Sequence, residues 1–110
     1  MSFIYEVNLE IDNEVEQLFR DWLRPHIEEM LSFDGFQSAS WCIRNCEDEN
    51  NDKDVVLWTI QYILDDRAAY THYLETHAPR MRQEGLHLFG NSFRATRRLL
   101  STHILFQKPT

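Results

Sequence analysis

The chain has 110 residues, of which 43% are hydrophobic and 13% aromatic, and a net charge of −7. That length suits one domain over residues 1–110, burying roughly two-thirds of the surface its unfolded form would expose, and the composition excludes intrinsic disorder. No apolar run approaches the ~20 residues that span a bilayer, and the start MSFIYEVNLEIDNEVE has neither a basic flank nor a cleavage site, so a cytoplasmic protein without membrane contact is expected.

The first strand is predicted in FIYEVNLEI, where Phe3, Tyr5, Val7, Leu9 and Ile11 alternate with Glu6, Asn8 and Glu10. Asp12 is positioned to cap a helix in which Val15, Leu18, Phe19, Trp22, Leu23, Ile27, Met30 and Leu31 recur at three- and four-residue steps. Pro25 predicts a kink or break near Leu23 to His26, and Gly35 ends the helix. FQSASWCIRN and VVLWTIQYIL read as the second and third strands, with CEDENNDKD as a solvated acidic loop between them. The third strand is apolar at both odd and even positions, so cover is expected on both faces.

Asp65 or Asp66 opens a second helix that Pro79 must break or bend, and a shorter helix runs from about Arg80 to Leu88, stopped by Gly90. SFRATRRLLSTHILF alternates and supplies a fourth strand. The order β, α, β, β, α, β is that of the ferredoxin-like fold, an α+β architecture with a four-stranded antiparallel sheet and helices on one face. An apolar second face would then be exposed over hundreds of square ångströms, which predicts a homodimer with stacked sheets, the dimeric α+β barrel.

Charge is unevenly divided. Residues 1–66 carry a net −12 and residues 67–110 a net +5. Seven bases over 44 residues, without a lysine tract, make a weak phosphate footprint, so nucleic acid is not an expected partner. The bases cluster in HAPRMRQEGLHLFGNSFRATRRLL, which holds two histidines and five arginines. Arg80, Gln83, Glu84 and His87 fall on one helical stripe, and Met81, Gly85 and Leu88 on another. In the last strand Arg94, Thr96 and Arg98 share one side and Arg97 takes the other. Arg80 converging with a strand arginine would suit a carboxylate or phosphate, because a guanidinium offers two parallel donors.

The expected ligand-binding set is therefore Arg80, His77, Gln83, Arg94 and Arg97, for a small anionic ligand. His77, His87 and Tyr73 are the candidate catalytic groups, since imidazole titrates near neutrality. The competing expectation is structural: Arg80 and Arg82 pair with acids of the first half, Arg97 and Arg98 pair with the acidic loop, and His77 holds a helix end by a hydrogen bond. His72, His77 and His87 lack the four-residue step of a helical metal site, so no metal is expected. The three glycines form no phosphate loop or dinucleotide fingerprint, so no nucleotide cofactor is expected either. Cys42 and Cys46 have no partner pair for zinc and are read as reduced, half-buried thiols.

The run YLETHAPRMRQEGLHLFGNSFRATRRLL, after YEVNLEID and WTIQYIL, resembles a bacterial family of unknown function whose members carry HAPR, a following R-Q-E and F-G-N-x-F. The likeness covers nearly the whole chain. It implies the dimeric α+β barrel fold and supplies no activity. Three functions remain open: a homodimer binding a small anion or protein partner, a cofactor-independent monooxygenase- or isomerase-like enzyme, and a structural interaction module.

Overall fold

The computed structural model describes residues 2–45, 47, 49 and 54–110. β1 (Phe3–Asp12) leads through a 3-10 turn (Asn13–Val15) into α1 (Glu16–Met30), followed by β2 (Phe36–Arg44) and β3 (Val55–Leu64). α2 (Arg67–Thr76) and α3 (Ala78–Phe89) come next, and a second 3-10 turn (Gly90–Ser92) delivers the chain to β4 (Phe93–Ser101). The strands form one antiparallel sheet in the order β2-β3-β1-β4, the ferredoxin-like topology.

One face of this sheet packs on the helices. Tyr5, Leu9 and Ile11 of β1 and Trp58, Ile60, Tyr62 and Leu64 of β3 are buried with Phe19, Leu23 and Met30 of α1, Tyr73 of α2 and Met81 of α3. Alternation sends Glu6, Asn8, Thr59 and Gln61 to the other face. That face is not the apolar surface expected: its centre is a hydrogen-bonded polar cluster. Glu6 accepts from Arg98 Nε at 2.6 Å, Asn8 Nδ2 at 3.0 Å and Gln61 Nε2 at 3.0 Å, and Asn8 Oδ1 accepts from Thr59 Oγ1 at 2.7 Å. Arg98, then Asn8 and Gln61, hold the Glu6 carboxyl down at a pKa of about 2. The apolar odd-numbered side chains of β3, Val55, Leu57 and Ile63, flank this cluster, and Val55 and Leu57 are buried.

Pro25 does not break α1, which runs continuously through it. The proline is exposed, as is Asp21, whose carbonyl it leaves without a helical donor, while Phe19, Leu23 and Met30 anchor the opposite stripe. Asp12 caps nothing; its carboxylate accepts from Arg94 at 2.9 Å, and a 3-10 turn starts the helix instead. Asp66 does cap α2, accepting from the Ala69 N–H at 2.9 Å. The chain breaks at His77, with Pro79 in the first turn of α3 where its missing N–H is harmless. Gly35, at φ +83°, lies so close to α2 that a Cβ there would sit 2.3 Å from the Ala69 Cβ.

β4 stops at Ser101, short of the strand predicted through Phe106. Its partner β1 starts at Phe3, so the last contacts are Thr102 N–H to the Ser2 carbonyl at 3.0 Å and the paired Ser2 and Thr102 hydroxyls. Cys42 is an exposed free thiol rather than half-buried, because it lies on an edge strand and faces away from the helices; Cys46 lies outside the described residues. So does most of the acidic connection, although Arg44 grips Glu49 through two hydrogen bonds of 2.8 and 2.7 Å.

Candidate functional site

Between the sheet and the helices lies a cavity of about 50 Å³, room for a few water-sized molecules. Its walls are largely aromatic: Tyr5 and Tyr62 from the central strands, Phe93 from β4, Phe19 and Trp22 from α1 and Tyr73 from α2. Gly85 of α3 permits the close approach on one side, since a Cβ there would sit 3.2 Å from Trp22 and 3.3 Å from Phe93. A larger residue would press into the cavity.

Three basic side chains also line it: His26 of α1, Arg82 of α3 and Arg97 of β4. Arg82 donates from Nη2 to the Tyr5 hydroxyl at 3.2 Å, while its Nε is buried without a hydrogen-bond partner among the described residues. Among the same residues His26 Nδ1 is buried without a hydrogen-bond partner too, although its ring lies against Trp22 with centroids 4.5 Å apart. Such groups are uncommon, because each forfeits the hydrogen bonds water would give it, about 1–3 kcal/mol. Burial pushes the His26 imidazole down to a pKa of about 4; Glu29 opposes this, and Arg97 and Arg80 add to it. His26 is therefore neutral at pH 7, with one ring nitrogen able to accept a proton. Burial raises the hydroxyl pKa of Tyr62 and of Tyr73, so both stay protonated as donors. Arg97 is solvent-exposed while lining the cavity, and it makes no ion pair among the described residues.

The structure brings only Tyr73 and Arg97, of the residues expected from sequence, to this cavity. Arg80 lies on the solvent side of α3, held by Glu29 at 2.6 Å and Glu84 at 2.8 Å. Arg94 lies on the opposite face of the sheet, bound to Glu10 at 3.0 Å and Asp12 at 2.9 Å, so Arg80 and Arg94 cannot share an anion. Arg98 pairs with Glu6 and not with the acidic loop. Gln83 and His87 are exposed. His77 makes no side-chain cap; its ring stacks on Phe33 at 3.9 Å and 2°. No group of three His, Cys, Asp or Glu side chains among the described residues is arranged to hold a metal.

His26 and Arg82 escaped the sequence reading although their spacing marks them. Phe19, Trp22, Leu23, His26 and Met30 follow one helical stripe, with His26 at its i+7 place. Ala78, Met81, Arg82 and Gly85 form another, with Arg82 at i+4. A polar residue on an apolar stripe is the signal in both helices.

Residues 2–103 match the family described as Domain of unknown function (DUF4286). The chain belongs to this family. No curated protein matches the sequence. Among solved structures, this DUF4286 member is similar to SnoaB, a cofactor-independent oxygenase from Streptomyces nogalater, with TM-score 0.69 and 13% identity over 98% of this chain and 100% of that one. It is also similar to a dimeric ferredoxin-like protein from an uncultured marine organism, with TM-score 0.64 and 17% identity over 96% and 98% of the two chains. The de novo designed protein Foldit4 superposes with TM-score 0.65 and 14% identity over 94% of this chain and all of that one. The DUF4286 chain thus has the protomer fold of the dimeric α+β barrel proteins. At these identities the likeness carries the fold alone, and a designed protein sharing it shows that fold does not fix function. No helix among the described residues is long and apolar enough to cross a membrane.

Proposed function

We propose that the chain is a binding protein for a small, flat, mostly apolar organic acid, held in the cavity between sheet and helices. The observation that carries this reading is the pair of buried, unpartnered groups, Arg82 Nε and His26 Nδ1, that line one aromatic cavity. Arg82 and Arg97 supply positive charge for a carboxylate, Tyr62 and Tyr73 supply hydroxyl donors, and the rings cover the apolar body. At about 50 Å³ the cavity admits an aromatic ring only when side chains at the Arg97 side give way. His77, Arg80, Gln83 and Arg94 play no part in this reading.

Isothermal calorimetry and Trp fluorescence with benzoate, salicylate, acetate and inorganic phosphate test it. The aromatic acids are expected to bind and to quench emission through Trp22, with affinity lost in Arg82→Ala and weakened in Arg82→Lys. If no acid binds, the cavity holds water and the reading fails. A second copy of the chain is proposed as partner, supported by the dimeric ferredoxin-like neighbour. Light scattering at micromolar concentration is expected to give twice the 13.2 kDa chain mass.

A second reading has one observation in its favour: neutral His26 presents a free ring nitrogen to a cavity in the same fold as an oxygenase that works without a cofactor. His26 would take the proton of a phenolic substrate and leave the phenolate to react with dioxygen, one oxygen atom entering the ring as it is oxidised to a quinone and the other leaving as water with the proton that His26 returns. Oxygen consumption with phenolic substrates, abolished in His26→Gln, tests this reading; its absence with bound phenols would leave binding as the whole activity.

A further inference from the structure

The cavity wall is unbalanced in charge. His26, Arg82 and Arg97 line it, whereas no aspartate or glutamate among the described residues does. The carboxylate that acts most strongly on His26 is Glu29, one turn further along α1, and Arg80 of α3 already holds it at 2.6 Å. Of the tyrosines in the wall, Tyr5 of β1 accepts from Arg82, while Tyr62 of β3 and Tyr73 of α2 stay protonated and supply no negative charge.

This imbalance decides which form of His26 the site favours. Burial holds the ring neutral against the pull of Glu29, and Arg97 and Arg80 add to this. With no anion beside it, an imidazolium here would face guanidinium groups from two elements, and its Nδ1–H would donate to nothing. A carboxylate entering the cavity reverses each of these effects. Its two oxygens have lone pairs for both unpartnered nitrogens, Arg82 Nε and His26 Nδ1, and its charge offsets the repulsion between the bases. Anion and proton then favour each other, and the linkage is reciprocal: whatever the anion does for the proton, the proton does for the anion.

We infer that the cavity takes up an organic acid together with one proton, which His26 holds at Nδ1, so that acid binding is governed by pH. Such coupling rests on the proposed binding of an organic acid and adds its regulation. A carboxylic acid is already ionised in solution above about pH 5, so the proton comes from the solvent and not from the ligand. Neutral isosteres bring no charge to pair with the imidazolium, and the coupling is therefore confined to acids.

Calorimetry with benzoate at pH 5.5 and pH 7.5, in two buffers of different ionisation enthalpy, reads both affinity and proton uptake. Benzoate is expected to bind about tenfold more tightly at pH 5.5, the ratio for an imidazole raised from about 4 to its ordinary 6.5, and to draw close to one proton from the buffer there. Benzamide, and benzoate with His26→Gln, are expected to bind equally at both pH values. Because a substitution in this wall can unfold the chain, the ring is also followed in the unaltered protein. The carbon-13 shift of His26 Cε1 at pH 5.5 is expected to report a neutral ring without ligand and a protonated ring with saturating benzoate. Benzoate binding that is pH-independent, draws no proton or leaves the ring neutral would overturn the coupling while acid binding stands. A pH dependence shared by benzamide or kept in His26→Gln would place the proton elsewhere and sink it as well. No benzoate binding at either pH would defeat both readings.

Discussion

The two faces of the sheet treat polar groups in opposite ways. On the open face, Glu6, Asn8, Thr59, Gln61 and Arg98 satisfy one another in a connected cluster. On the helix-covered face the surroundings are aromatic and aliphatic, yet Arg82 Nε and His26 Nδ1 have no partner there. A satisfied cluster needs nothing from outside, whereas an unsatisfied pair in an apolar wall is where a ligand or water adds the missing bonds. The candidate site therefore lies on the side richer in apolar residues.

Adjacent residues of β3 give the sharpest form of this contrast. Trp58, 1% exposed, is expected to cost about 3–5 kcal/mol on replacement by Ala, while Thr59→Ala, one residue on and on the other face, costs about 1 kcal/mol. Urea denaturation measures both, and equal losses would mean that the faces do not differ as described.

The pH dependence of stability tests the helix side next. His26 has a folded pKa of about 4, below the 6.5 of the unfolded chain, so the unfolded state binds more protons between these values. Stability is fully present above pH 6.5 and is lost as pH falls toward 4, by at most about 3 kcal/mol. His26→Leu is expected to flatten the curve across that window. A bound carboxylate beside the imidazole would raise its folded pKa toward 6.5 and so shrink the loss.

Smaller again is the effect on the open face. Glu6→Ala leaves Gln61 and Asn8 without their acceptor and is expected to lower stability by about 1–2 kcal/mol, with solvent around the exposed Arg98 limiting the loss. Because the Glu6 pKa is depressed to about 2, its contribution is present above pH 4.5 and disappears as pH falls through 2, a lower window than that of His26. Urea midpoints at pH 5 and pH 2.5 separate the two groups. Arg80→Ala is expected to move the midpoint least, and 1 M salt to erase the difference, since both its ion pairs face solvent.

Sequence by itself determined the element order, the β1 alternation, the span of β3, a helix start at Asp65 or Asp66 and a break or bend at Pro79. Each depends on residues close in the chain: the two-residue pleat, a carboxylate reaching an N–H three residues on, a ring that cannot donate. The ferredoxin-like fold followed from that order. It also placed Arg97 on the opposite side of β4 from Arg94 and Arg98, because alternation alone decides the side. Tertiary structure decided the rest. Whether Arg80 or Arg82 turned inward depended on how α3 rolled against α1 and β4, which the close approach at Gly85 permits. That Glu6 would meet Arg98 across 92 positions, and Gln61 across 55, depended on strand register, a property of paired strands that no single segment carries. The end of β4 likewise depended on where β1 begins: the β1 pairing ends at Phe3 opposite Ser101, and among the described residues no strand pairs with the chain past Thr102.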